Sequence, residues 1–126
     1  LIGISGESSD MREILSAVKD NQQRSKWAFE IFCYRIKKYV GSYAAAMGGL
    51  DALVFTGGIV DNSKEIREEV CKEMEFLGIH LDDLKNQNAD EIISTENSKV
   101  KVMRIPTNEE LVIALDTAKI VSEMQK

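Results

Sequence analysis

No stretch of the 126-residue sequence reaches the roughly 18–20 consecutive apolar residues that a membrane-spanning helix needs. The first residues also lack the basic-then-apolar order of a secretory signal, so the expected location is the cytoplasm. Basic residues are too few and too scattered to neutralise a run of phosphates: 16 Lys and Arg stand against 21 Asp and Glu, for a net charge of -5. Nucleic acid is therefore not an expected partner. Cysteine is scarce too. Cys33 and Cys71 lie in separate helical patterns with no CxxC spacing, and a single histidine, His80, cannot complete a zinc site. Buried, reduced thiols are the expectation, and His80 is assigned no chemistry. The one proline, Pro106, is expected to end a strand.

What is present fits one domain or a piece of one. Hydrophobic residues make up 44% and charged residues 29% of the chain, an ordinary soluble balance. Leu1 to Gly6 reads as an irregular or extended lead-in. Ser8-Ser9-Asp10 is a helix-start cluster, and a helix to Lys19 should follow. Asp20 to Gln23 breaks the pattern before a long amphipathic segment from Arg24 to Met47. Its apolar face of Ala28, Ile31, Phe32, Ile36, Tyr39, Val40, Tyr43 and Met47 needs a packing partner, most simply the domain's own sheet.

Leu50 to Thr56 is a short apolar run expected to form a strand covered on both faces. Gly57-Gly58 then makes a tight connection to a helix from Ser63 to Leu77, closed by Gly78. The polar segment from His80 to Ser98 allows a helical turn at Asp82 to Lys85 and a short strand near Glu91 to Ser94. Lys99 to Ile105 reads as a second core strand, and Thr107 with Glu110 matches a capping box for a last helix to Glu123. Alternating helices and strands predict an α/β fold with mainly parallel strands. With only two or three strands, against the roughly four to six of a typical sheet, the chain reads as a portion of a larger domain.

Three places can carry chemistry. At Gly57-Gly58-Ile59-Val60-Asp61-Asn62 a glycine turn meets a helix start, which suits close approach to a phosphate or ribose; by spacing alone, turn-making with Asn62 and Glu65 as a capping box is the favoured explanation. At Asp10-Met11-Arg12 a carboxylate can accept from ribose hydroxyls and a guanidinium can lie on a purine ring, although taken alone a simple capped helix with Arg12 solvated is the favoured explanation. Glu109 and Glu110 follow a buried strand, where ligands of open α/β sheets gather, and one carboxylate suffices for a largely hydrated magnesium ion; acidic residues also favour helix starts for their own sake.

In this order and spacing, the three segments resemble the acetate kinase family. The likeness runs from Gly3 through Asp10-Met11-Arg12, Tyr34 to Gly41 and Ala44 to Ile59, and on through Asn62-Ser63, Glu65-Ile66-Arg67 and Ile105 to Leu111. The resemblance implies a partial ribonuclease-H-like domain of the acetate and sugar kinase, Hsp70 and actin superfamily, residues 1–126 being the carboxy-terminal portion of the second, nucleotide-binding domain. It implies reversible phosphoryl transfer between ATP and acetate, giving ADP and acetyl phosphate with Mg2+, in a homodimer. Asp10, Met11, Arg12, Gly58, Ile59, Val60, Asp61 and Asn62 would contact the nucleotide, and Glu109 would serve the metal.

The family usually reads Gly-Ile-Gly-Glu-Asn where this chain has Gly58-Ile59-Val60-Asp61-Asn62. A β-branched Val60 is expected to disfavour positive φ and shift the loop, while Asp61 keeps the charge on a shorter arm. The family's phosphate loop, acetate pocket and phosphoryl-stabilising arginine and histidine have no counterpart here. No residue is therefore assigned as catalytic, and the chain alone is expected to be inactive. A propionate kinase portion, or a non-catalytic nucleotide-binding or dimerisation module, is the alternative.

Overall fold

The computed structural model describes residues 1–124. Helix α1 (Ile2–Ser5) replaces the expected extended lead-in, and Gly6 ends it in the left-handed region at φ 73°. Four residues with almost no polar side chains would not hold a helix alone; α1 forms because it packs on a longer helix. Helix α2 (Met11–Lys19) starts where Ser8-Ser9-Asp10 predicts, the Asp10 carboxylate accepting from Arg12 N–H. Asn21, at φ 59°, turns the chain into α3 (Gln23–Met47), which closes at left-handed Gly48.

Helix α3 buries only part of its predicted apolar face. Ser25, Ala28, Cys33 and Ala44 are buried, and Phe29, Phe32, Ile36 and Val40 pack behind them. Ile31, Tyr39, Tyr43 and Met47 remain exposed, as do Trp27 and Tyr34. The helix is apolar on more than one side, and its partners are mainly α1, α2 and a later helix, α5 (Lys64–Cys71), rather than the sheet.

Strands β1 (Ala52–Phe55) and β2 (Lys101–Arg104) pair in parallel, with Phe55 opposite Arg104, as an α/β reading requires. Both strands are shorter than expected, and β1 is not covered on both faces. Phe55 and Val102 are buried, but Val54 is 45% exposed, so among the described residues one face of the sheet is open. The expected strand at Glu91 to Ser94 is reduced to single antiparallel bridges, Ile92 to Met103 and Leu81 to Ser94.

Between the strands the helix expected over Ser63 to Leu77 is divided. A short α4 (Gly58–Asn62) comes first, then α5, then left-handed Glu73 and a 3-10 turn (Glu75–Leu77) closed by Gly78. The predicted Asn62 cap is displaced by one residue: Ser63 accepts from Ile66 N–H, and the Asn62 amide instead donates back to Gly58 O. Helix α6 (Asp83–Asn88) carries the predicted turn further, capped by Asp82. The last helix, α7 (Glu109–Met124), is likewise capped not by Thr107 but by Asn108, whose side-chain oxygen accepts from Leu111 N–H at 3.0 Å.

One core joins these pieces: Met11 and Ile14 from α2, Cys33, Phe55 and Val102, and Ile66, Val70 and Cys71 from α5, with Met74, Ile79 and Ile93. Burial raises both thiols to about 12, which keeps Cys33 and Cys71 protonated. Helix α7 lies outside this core, with no buried residue and with Leu111, Ile113, Leu115 and Ile120 all more than half exposed.

Gly78 links the 3-10 turn to the second half of the core. Its φ is 85°, and an added Cβ would stand 2.9 Å from the Lys99 Cβ. Gly48 has a similar φ of 76° with open space around it. Gly48→Ala should therefore cost about 1–2 kcal/mol from backbone conformation alone, whereas Gly78→Ala adds overpacking of about 1–3 kcal/mol. Urea denaturation of the two variants should rank them in that order; equal losses would show that the Lys99 contact relaxes freely.

Candidate functional site

Parallel pairing sets the geometry. Because β1 and β2 run the same way, with Ile105 N–H donating to Phe55 O at 2.9 Å, the segments leaving both strands emerge side by side. The chain turns at Gly57, whose φ of 82° a residue with a Cβ adopts only with strain. Gly57 caps α4 without a side chain, so no side-chain oxygen covers the first N–H groups of that helix.

Gly58 is the meeting point. On one side it lines a cavity of about 810 Å3 with Ser9, Asp10, Met11, Arg12, Ile59, Asn62 and Glu65. On the other it lines a hollow of about 370 Å3 with Thr107, Asn108, Glu109 and Glu110. The three segments singled out in the sequence thus converge on one turn, and the glycine turn and the acidic helix start share an edge.

Helical periodicity divides the predicted loop. Gly58, Ile59 and Asn62 face the large cavity, whereas Val60 and Asp61 do not line it. Val60 packs against the core, and positive φ in this turn is confined to Gly57. The expected conflict between a β-branched residue and left-handed backbone therefore does not arise, because Val60 lies in helical conformation within α4. Asp61 is buried, its carboxylate 2.7 Å from Arg104 Nε.

Asp10 and Arg12 are tied to each other at the cavity wall. The Asp10 carboxylate accepts from Arg12 N–H at 2.8 Å, from Nε at 3.1 Å and from a terminal guanidinium nitrogen at 2.5 Å. Those bonds, the side-chain ones first, hold the Asp10 carboxyl down to about 2 from an ordinary 3.8. Arg12 is 90% exposed along its side chain, so its guanidinium presents a free face to anything in the cavity.

Glu109 stands in the first turn of α7, exposed to solvent. Among the described residues no cluster of three or more His, Cys, Asp or Glu gathers around a common point. A zinc-type cage is thus not built here. The donors present, one or two hard carboxylates beside an open hollow, match what magnesium needs when it keeps most of its waters and shares phosphate oxygens.

Sequence reasoning did not single out Ser63 and Glu65 as cavity residues, nor Arg67, Asn86 and Arg104 behind the loop. Arg67 did carry a signal: it falls between Ile66 and Val70 on the inward stripe of α5, where a charge is out of place.

The chain matches the family described as the acetokinase family over residues 1–115. It is 53% identical over 126 residues to the acetate kinase of Bacteroides thetaiotaomicron, covering 98% of this chain and 32% of that protein. The crystal structure of Porphyromonas gingivalis acetate kinase superposes with a TM-score of 0.84 at 50% identity, over 95% of this chain and 31% of that one. A propionate kinase from Francisella tularensis subsp. tularensis gives 0.81 at 42% identity, over 90% and 29%. The chain thus spans about a third of the length of the curated relatives it matches.

The Asp10–Arg12 pair makes a pH prediction. A carboxyl held low in the folded chain contributes stability above its unfolded pKa and loses it as pH falls toward about 2. In a carboxyl-detected NMR titration, Asp10 should have its midpoint near 2, and Arg12→Ala should move it up toward 3.8. A midpoint already near 3.8 in the unvaried chain would contradict the pairing.

Proposed function

The chain belongs to the acetokinase family, and from that premise we propose that it is the carboxy-terminal portion of the second, nucleotide-binding domain of an acetate kinase. The whole enzyme would transfer a phosphoryl group reversibly between ATP and acetate, giving ADP and acetyl phosphate. The single observation carrying this reading is the convergence of Asp10-Met11-Arg12, the turn at Gly58 and Glu109 on two adjoining hollows at the carboxyl ends of parallel strands. Fold alone would not support it, since one fold hosts many activities.

In this reading the 810 Å3 cavity takes the adenosine end of ADP or ATP. Arg12 lies along the base, Asp10 accepts from the ribose through lone pairs that Arg12 leaves free, and Met11, Ile59 and Asn62 complete the wall. The Gly57-Gly58 turn lets the phosphates pass close to backbone on the way to the second hollow. There Glu109 would hold magnesium, which when bound offsets negative charge on the phosphates. Val60 and Asp61, carried over from the family's loop, would act from behind it rather than by touching the nucleotide.

Acetate is favoured over propionate as the acceptor because the curated relatives at 53% and 54% identity are named acetate kinases; identity to solved structures does not divide the two acceptors, since a propionate kinase at 42% falls between acetate kinases at 50% and 34%. A homodimer of the whole enzyme, with the outward side of α3 at Trp27, Ile31 and Tyr34 as a candidate contact, is the corresponding assembly. The absence of any described helix long and apolar enough to cross a membrane is compatible with a cytoplasmic enzyme.

Calorimetry of this chain with ADP and magnesium tests the nucleotide site. Binding is expected, and Glu109→Ala should weaken it about tenfold, or about 1.4 kcal/mol, only when magnesium is present. No heat of binding at millimolar ADP would sink the assignment. Phosphoryl transfer needs positive charge around the transferred group, which these residues do not supply, so a coupled assay should detect no acetyl phosphate from the chain alone. Turnover there would overturn the reading of an incomplete site.

A further inference from the structure

The surface of the nucleotide loop turned away from the cavity is held by two arginines. Arg67 is 2% exposed and makes no ion pair within 4 Å among the described residues. Burial, and then the charge of Arg104, pull its pKa down. Its charge is met instead by oxygen atoms of two helix ends. At the end of α4 it donates to Val60 O at 3.0 Å and to Asp61 O at 2.5 Å; at the end of α6 it donates to Asn86 O at 3.1 Å and to Asn86 Oδ1 at 2.7 Å. Carbonyls at the last turn of a helix lack partners and carry partial negative charge, so two such ends form a site for a buried cation.

Arg104, at the end of β2, adds a second tie. Its Nε directs its hydrogen to Asp61 O at 3.0 Å, and a terminal nitrogen donates to Ala89 O at 2.9 Å. The Asp61 carboxylate sits 2.7 Å from the same Nε, but Oδ1 receives no hydrogen bond because the single N–H is already aimed at the carbonyl. Oδ1 is thus buried and held by charge alone. Losing Arg104 would leave it uncompensated.

We propose that the Asp61–Arg104 pair, backed by Arg67, is the positioning device of the nucleotide loop: it fixes Gly58, Ile59 and Asn62 against the cavity by clamping the opposite side of α4 to α6 and β2. The inference rests on the nucleotide reading given above. It assigns Asp61 to loop order rather than ligand contact, and accounts for an acidic side chain at a position that does not line the cavity. Neither Asp61 nor Arg104 touches the nucleotide; both act through the loop. Side-chain charge and helix-end carbonyls on three separate elements must stay in register for the loop to keep its shape.

The test measures amide hydrogen exchange without nucleotide, and ADP affinity with magnesium, in the unvaried chain and in Arg104→Met, Asp61→Asn, the double variant and Asp61→Glu. Arg104→Met should speed exchange at Ile59 to Asn62 and raise the Kd for ADP by about tenfold each, and the double variant should do little more, because one pair underlies both effects. Exchange at Val70 and Val102, in the core, should change far less, which separates a loosened loop from a loosened fold. Asp61→Glu, which restores the charge, should stay near the unvaried chain. Should Arg104→Met fail to fold, Asp61→Asn decides on the same two readouts, since it removes the charge at almost constant shape. Loop exchange at the unvaried rate, or an unchanged Kd beside a freed loop, overturns the proposal. If the unvaried chain binds no ADP, the nucleotide reading falls by itself, and the exchange rates still decide whether the pair orders the loop.

Discussion

A buried guanidinium without a carboxylate partner constrains everything around it. Removing a cation from water costs several kcal/mol even after relaxation, so Arg67 is stable only if its donors meet oxygen atoms in fixed directions. Four such bonds are made, all to the ends of α4 and α6. The requirement is met by helix ends on either side of α5 in the chain, at α4 and α6. With α4 ended at Asn62 and α6 at Asn88, four carbonyls point inward and the two arginines satisfy them.

The same arrangement decides which side of α4 faces outward. In a helix, residues one and two apart diverge while those three and four apart share a face. Gly58 and Ile59 lie four and three residues before Asn62, so all three line the cavity, and Val60 and Asp61 do not. That division removes the difficulty of a β-branched residue at position 60. The strained backbone falls three residues earlier, at Gly57, and Val60 contributes apolar contact from a conformation every L-residue adopts. Val60, where the resembling family usually has glycine, thus packs on the core rather than lining the cavity.

The legible parts of this sequence were those with local causes. Asp10 as a cap, Gly48 and Gly78 as stops, the apolar strands and the glycine turn all follow from chemistry within a few residues, and all occur in the structure. Caps shifted by one residue, Ser63 for Asn62 and Asn108 for Thr107, because neighbouring residue types cap almost equally well and tertiary packing chooses between them. Three candidate site segments could be marked, but their convergence on Gly58 depends on strand pairing, which no local pattern reports. The Arg67 and Arg104 network was invisible for the same reason: Arg67 and Asn86 are 19 residues apart, and Arg104 and Asp61 are 43 apart. Only the charge inside the apolar stripe of α5 hinted at it.

The apolar surface left uncovered bears on what the chain is. Helix α7 is apolar around most of its circumference and buries none of its described residues, one face of β1 is open at Val54, and α3 shows Trp27, Ile31 and Tyr34 outward. An apolar helix contributes little to folding until its surface is removed from water, at roughly 25 cal/mol per Å2, so α7 gains stability only from a partner beyond this core. A two-stranded parallel sheet has the same need, since parallel strands are ordinarily buried on both faces. The relatives this chain matches are about three times as long as it is. The turn at Gly57-Gly58, by contrast, is tied from within these residues, through Arg67, Asp61 and Arg104. Shape at the cavity wall is therefore a local property of these residues, while the apolar surfaces of α7 and of the open sheet face are left uncovered by them.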